Sequence, residues 1–119
     1  MRARHYVRDG LLAAHADLQI IDTLERLGEP DAARRGRVQI VRQSVEPAPE
    51  QGFYLESLDV WVVTNLVDPD ELEDDLDDLT DDVTDTLRAL AGVRWLTSTR
   101  EMHPSGVHGY RIRITAKTH

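Results

Sequence analysis

A chain of 119 residues, 40% hydrophobic and 30% charged, is long enough for one domain with a real core and is not composed like a disordered segment. Its formal net charge of −8, from 22 acids against 14 Lys and Arg, opposes general binding to nucleic-acid phosphates. The absence of cysteine excludes disulfides, thiolate zinc sites and cysteine nucleophiles, and no apolar run nears the roughly 20 residues of a membrane span.

Residues 1–8 alternate arginines with Ala3, His5, Tyr6 and Val7 and read as an arm or a frayed first turn. The basic start is followed only by Leu11–Ala14, too short for a signal-peptide core, so the chain is expected to be soluble and made in the cytoplasm. Asp9 is placed to cap a helix running from Gly10 to Leu27, with Ala13, Ala16, Ile20, Leu24 and Leu27 at helical spacing and an interruption near Asp17. Gly28-Glu29-Pro30-Asp31 stops it, and Asp31–Gly36 is a polar connection.

Val38–Val45 carries β-branched residues at 38, 40, 41 and 45 and reads as a strand. Glu46-Pro47-Ala48-Pro49-Glu50-Gln51-Gly52 cannot be sheet interior, because proline lacks the ladder donor and glycine supports a turn. Phe53–Thr64 is the strongest strand. Leu58, Val60 and Val62 point one way, Trp61 and Val63 the other, and a strand apolar on both sides calls for cover on both. A neighbouring subunit could supply the second cover.

Asp70–Leu90 is an acidic amphipathic helix. Leu72, Leu76, Leu79, Val83, Leu87 and Leu90 share one face, while ten acids and no base lie between Asp70 and Asp85. Asp68 and Pro69 suit its start and Gly92 its exit. Val93–Met102 follows as a strand containing Trp95 and Leu96, and His103-Pro104-Ser105-Gly106 as a turn. In Tyr110–Lys117, residues Tyr110, Ile112, Ile114 and Ala116 face inward and Arg111, Arg113, Thr115 and Lys117 outward. The order is α-β-β-α-β-β in one α+β domain spanning 1–119, with a mostly antiparallel sheet and helices on one face.

No pattern of catalytic or cofactor chemistry emerges. The crowded acids at 68–75 lack the central glycine and alternate spacing of a calcium loop, and leucines interrupt them at helical period. His103 and His108 flank a turn without the spacing of a zinc pair, and Ser105-Gly106 lacks the strand–turn–helix setting of a nucleophile elbow. No metal, cofactor or catalytic residue is expected. The basic residues cluster apart from the acids, at Arg2–Arg8, Arg34–Arg37 and Arg111–Lys117, which predicts contacts between unlike surfaces, within the fold or between copies.

In this order, with an N-terminal helix, two strands joined by the Pro-rich Glu46–Gly52 loop, the apolar Leu58–Thr64 run, the acidic Asp70–Leu90 helix and a closing Tyr110–Thr115 strand, the chain resembles tail terminator proteins of long, non-contractile-tailed bacteriophages. The resemblance implies a small virion protein without catalytic residues. It would assemble as a ring, typically of six, on the head-proximal end of the tail tube, in the neck. Its partners would be other copies of itself, the tail tube protein and a head-completion or connector protein, with DNA only as passing cargo. The residues expected at such interfaces are Arg34, Arg35, Arg37, Pro47, Pro49, Phe53, Trp61, Val63, Arg111 and Arg113. The alternative is an acidic binding module, a DNA mimic or inhibitor of a basic partner, acting through Asp70–Asp85.

Overall fold

The computed structural model describes residues 2–22, 27, 30, 31, 33–65 and 68–118. Its elements are α1 (Ala3–Ala14), β1 (Leu18–Ile21), β2 (Gly36–Pro47), β3 (Tyr54–Thr64), α2 (Pro69–Ala89), β4 (Val93–Met102) and β5 (His108–Thr118). The five strands form one sheet in the order β1-β2-β3-β5-β4. Only the short β1–β2 pair is parallel; the β2–β3, β3–β5 and β4–β5 ladders are antiparallel. The result is a single α+β domain with both helices on one face of the sheet.

The acidic helix takes its expected place. Asp68 caps it by accepting from the Asp70 N–H at 3.0 Å, and Leu76, Leu79, Val83 and Leu87 are fully buried. Opposite them lie Val38 and Ile40 of β2, Leu58, Val60 and Val62 of β3, and Ile112 and Ile114 of β5, forming one core with Ala3, Val7 and Leu11 of α1. Gly92, at φ 78°, turns the chain out of the helix and into β4. In β5 the core side is the one its alternation predicts, with Ile112, Ile114 and Ala116 buried.

The N-terminal quarter departs from the sequence expectation. The helix spans Ala3–Ala14, not Gly10–Leu27, and residues 3–8 are its first turns, not an arm. Its true face is Ala3, Val7 and Leu11, spaced by four and each fully buried. Ala13 and Ala16 are exposed, so their spacing marked no packed face. Beyond His15 the Leu18-Gln19-Ile20-Ile21 segment finds partners in Gly36–Gln39 and joins the sheet; tertiary pairing outweighs the helical period. Residues 23–26, 28 and 29, which include Leu24 and part of the expected stop signal, lie outside the described residues.

Helix α1 has no cap from its own Arg2. Instead the buried Glu56 of β3 reaches its first turn, where the carboxylate accepts from the Ala3 N–H at 3.2 Å and from the Thr118 hydroxyl at 3.1 Å. A carboxylate placed there satisfies an orphan donor and complements the positive end of the helix. No helix among the described residues is long and apolar enough to cross a membrane.

The strand pair β2–β3 extends past the helical cover. Its register continues to Pro47 opposite Tyr54, while residues 42–47 are exposed throughout. Pro47 thus ends a strand at a free edge, where its missing N–H leaves no ladder bond unmade. A turn closed by an Ala48 N–H bond to the Phe53 carbonyl joins the two strands. At φ 85°, Gly52 occupies the turn with nothing within 4 Å of where a Cβ would stand.

Two glycines inside strands serve the opposite purpose. A Cβ on Gly36 would lie 2.6 Å from Leu79 Cδ2 and 2.7 Å from the Val63 carbonyl oxygen, and one on Gly109 would lie 2.5 Å from the Val62 carbonyl oxygen. Each lets backbone or core press close to β3.

Candidate functional site

The face of the sheet away from the helices is only partly covered. Gln39, Val41 and Gln43 of β2, Asp59 and Trp61 of β3 and Arg111 and Arg113 of β5 line a half-open groove there, closed at one end by His103, Pro104 and Ser105. Its volume is about 720 Å³. Alternation along each strand puts these side chains together, since residues beside core positions must face the other way.

An ion-pair network forms the floor. Asp59 is buried, and Arg113 meets it with two bonds, Nε to Oδ1 at 3.0 Å and a second guanidinium nitrogen to Oδ2 at 3.3 Å. Arg111 pairs with Glu101 of β4 at 2.9 Å and approaches Asp59 at 3.9 Å. The bidentate geometry fixes both partners, and the Asp59 bonds hold the Arg113 guanidinium pKa above its ordinary value.

The wall is a clamp built on His103. Its ring meets Trp61 edge-on, with centroids 5.0 Å apart. The Ser105 backbone N–H donates to Nδ1 at 3.0 Å, so that nitrogen carries the lone pair. Nε2 must then hold the proton and donate to Gln39 Oε1 at 2.6 Å. The Ser105 hydroxyl also points its donor at Nδ1, 2.8 Å away. With serine donating twice to one lone pair inside a tight turn, the triplet ties the turn down over Trp61.

Burial, and then the nearby Arg37 guanidinium, hold the His103 pKa below its ordinary 6.5. The folded state therefore resists the proton that the unfolded chain takes up near 6.5. The stability from this neutral imidazole is complete above that pH and is lost as pH falls below it toward the folded value. Denaturant melts between pH 7.5 and 5.5 are expected to show falling stability that flattens in His103→Gln. An equal slope in wild type and variant would remove the clamp from the account.

The residues expected at interfaces fall into three groups. Trp61 is 8% exposed and Val63 fully buried, so the second apolar side of β3 is covered by the chain's own 103–105 turn and neighbouring strands. A neighbouring subunit, which could have supplied that cover, is not needed to bury these two side chains.

The arginines already have partners within the chain. Arg34 binds the Ala16 carbonyl, Arg35 bonds Asp82 at 2.9 Å and approaches Asp75 at 3.7 Å, and Arg37 bonds Asn65 at 3.0 Å. Arg35, with Arg111 and Arg113, shows unlike charges of this sequence meeting inside one subunit.

Pro47 and Pro49 are exposed at the tip of the β2–β3 arm. Phe53 is half-buried beneath Lys117, whose Nζ sits 4.6 Å from the ring centre and 2.8 Å from Glu50.

Sequence reasoning missed Asp59, Glu56 and the Gln39–His103–Ser105 clamp. Asp59 carried a signal, as the lone acid inside the apolar Leu58–Val63 run; the clamp joins positions 64 residues apart and carried none. Among the described residues no group of three His, Asp or Glu side chains is arranged to hold a metal. Set beside known proteins, the chain matches no family model and no curated sequence.

Proposed function

We propose that this protein is a structural, non-catalytic ring component of a bacteriophage neck, a tail terminator. Capping the tail tube, it presents a surface to the head-completion or connector protein while DNA passes through. What carries the reading, beside the resemblance of element order, is the uneven cover of the sheet. One face is sealed by helices, the other is a half-open groove, and the β2–β3 arm reaches beyond the core with its side chains exposed. A ring of identical subunits needs two different surfaces on each copy, one to meet the tube or head and one to meet the next copy.

The test adds the purified protein to polymerising tail tube protein and follows tube length by negative-stain electron microscopy. The expected result is short tubes with a discrete ring at one end. Shortening the arm tip at residues 48–52 should leave the circular dichroism spectrum intact and abolish capping, since loop length costs little in closure entropy. Tubes that grow unchecked with no added density at either end would sink the terminator. The acidic binding module would then stand, because Asp70, Glu71, Asp74, Asp77, Asp78, Asp81, Asp82 and Asp85 are all exposed along α2.

A further inference from the structure

Among the described residues, both ends of the sheet are open. Strand β1 covers β2 only from Gly36 to Gln39, leaving residues 40–47 without a described partner on that edge, and β4 is paired, among the described residues, only with β5. Exposed apolar side chains concentrate at these two places. Of the large hydrophobic residues exposed among those described, Val45 lies on the free part of β2, Tyr54 beside the tip of that strand, and Trp95, Leu96 and Met102 on β4; Leu12 alone lies elsewhere. An unpaired, partly apolar edge is a template for another strand.

We infer that the free edge of β2 in one copy pairs with β4 of the next, making one sheet continuous through the assembly. This rests on the ring reading and names the surfaces that would close it. Strand direction supports a second copy as the occupant. Because the β2–β3, β3–β5 and β5–β4 ladders are all antiparallel, β2 and β4 run in opposite senses. When a copy is repeated about an axis roughly along the strands, β4 meets the next β2 antiparallel, with ordinary ladder geometry.

The side chains agree with one register. Val45 lies opposite Glu56 and Trp95 opposite Ile114, so both project from the helix-bearing side. Ser44 and Glu46, like Thr97 and Arg94, project from the other side. With Leu96 bulged out, as it is in the β4–β5 ladder, setting Ser44 against Thr97 places Val45 beside Trp95 and Glu46 beside Arg94, apolar on apolar and acid on base. The irregularities at Arg42/Ser44 and Trp95/Thr97 fall in the same stretch and bar either edge from pairing with an arbitrary flat strand. Two different edges on one chain make a heterologous contact, the kind that closes rings.

The chain has no cysteine, so introduced thiols report without background. The double variant Ser44→Cys/Thr97→Cys, at two exposed positions, is oxidised with copper phenanthroline under conditions of assembly and run on a non-reducing gel. The expected result is a ladder of dimers, trimers and higher species that collapses on reduction, with no ladder from either single variant. Circular dichroism confirms that each variant is folded. Dimers from Thr97→Cys alone, without higher species from the double variant, would overturn the proposal in favour of a twofold β4 contact. No cross-link in folded protein that still forms rings in the microscope would overturn edge pairing and leave the ring standing. No cross-link and no ring would overturn both.

Discussion

Replacing Leu79 by alanine is expected to remove about 2–5 kcal/mol of stability, a large share of the roughly 5–15 kcal/mol that holds a domain of this kind together. Leu79 is fully buried in the middle of α2, and its Cδ2 lies where a side chain on Gly36 would have to go. The helix therefore rests directly on the backbone of β2. The adjacent residue supplies the control. Asp78 is exposed on the acidic face, with Asp74, Asp75, Asp81 and Asp82 three and four positions away. Asp78→Asn relieves like-charge repulsion and should change stability by no more than about 0.5 kcal/mol, in the stabilising direction. Urea melts of the two variants check the pair. Equal effects would mean that the apolar stripe of α2 is not the face that packs.

The second large effect is expected at Gly109. A methyl group there would sit 2.5 Å from the Val62 carbonyl oxygen and 3.0 Å from Val63 Cγ2. The first of these is backbone in the central strand and cannot swing aside. Gly109→Ala should destabilise by about 1–3 kcal/mol, by forcing β5 away from β3. Gly106→Ala separates this from the cost of changing any glycine. Gly106 has a φ of 92° and nothing within 4 Å of an added Cβ, so only backbone strain is at stake, about 1–2 kcal/mol. The two should differ in kind. Gly109→Ala is expected to shift the backbone amide resonances of Val62 and Val63, and Gly106→Ala only those of its own turn. Unmoved Val62 and Val63 resonances in Gly109→Ala would contradict the close approach.

Legibility followed the length of each pattern. Helix α2 repeats its apolar spacing over five turns and carries its own cap, so its face could be read before any contact was known; Tyr110–Lys117 alternates without a break and was equally plain. The first helix failed because its signal is only Ala3, Val7 and Leu11, set among arginines, while a run of small alanines imitated a longer helix downstream. Strand β1 is too short to show a period and exists because Gly36–Gln39 lies beside it. At the groove, the alternation of β3 showed that two faces were apolar, but what covers the second face depended on a turn forty residues away in sequence. The same holds for charge. Clusters of opposite sign were visible along the chain, and that Arg35 meets Asp82 while Arg113 meets Asp59 follows only from the strand order.

That order also governs how the molecule comes into being during synthesis. The strand made last among those described, β5, is inserted between β3 and β4. Until it leaves the ribosome, β3 has no partner on that side, and its apolar residues Leu58, Val60 and Val62 lack the neighbours Ile112 and Ile114 that complete their core. The hairpin β2–β3 and helix α2 can form early, because they are local in sequence, but the sheet remains split until β5 emerges. A nascent chain at this stage displays its most apolar strand along an unprotected edge, the species on which aggregation starts. Prompt release of β5 therefore decides between folding and precipitation.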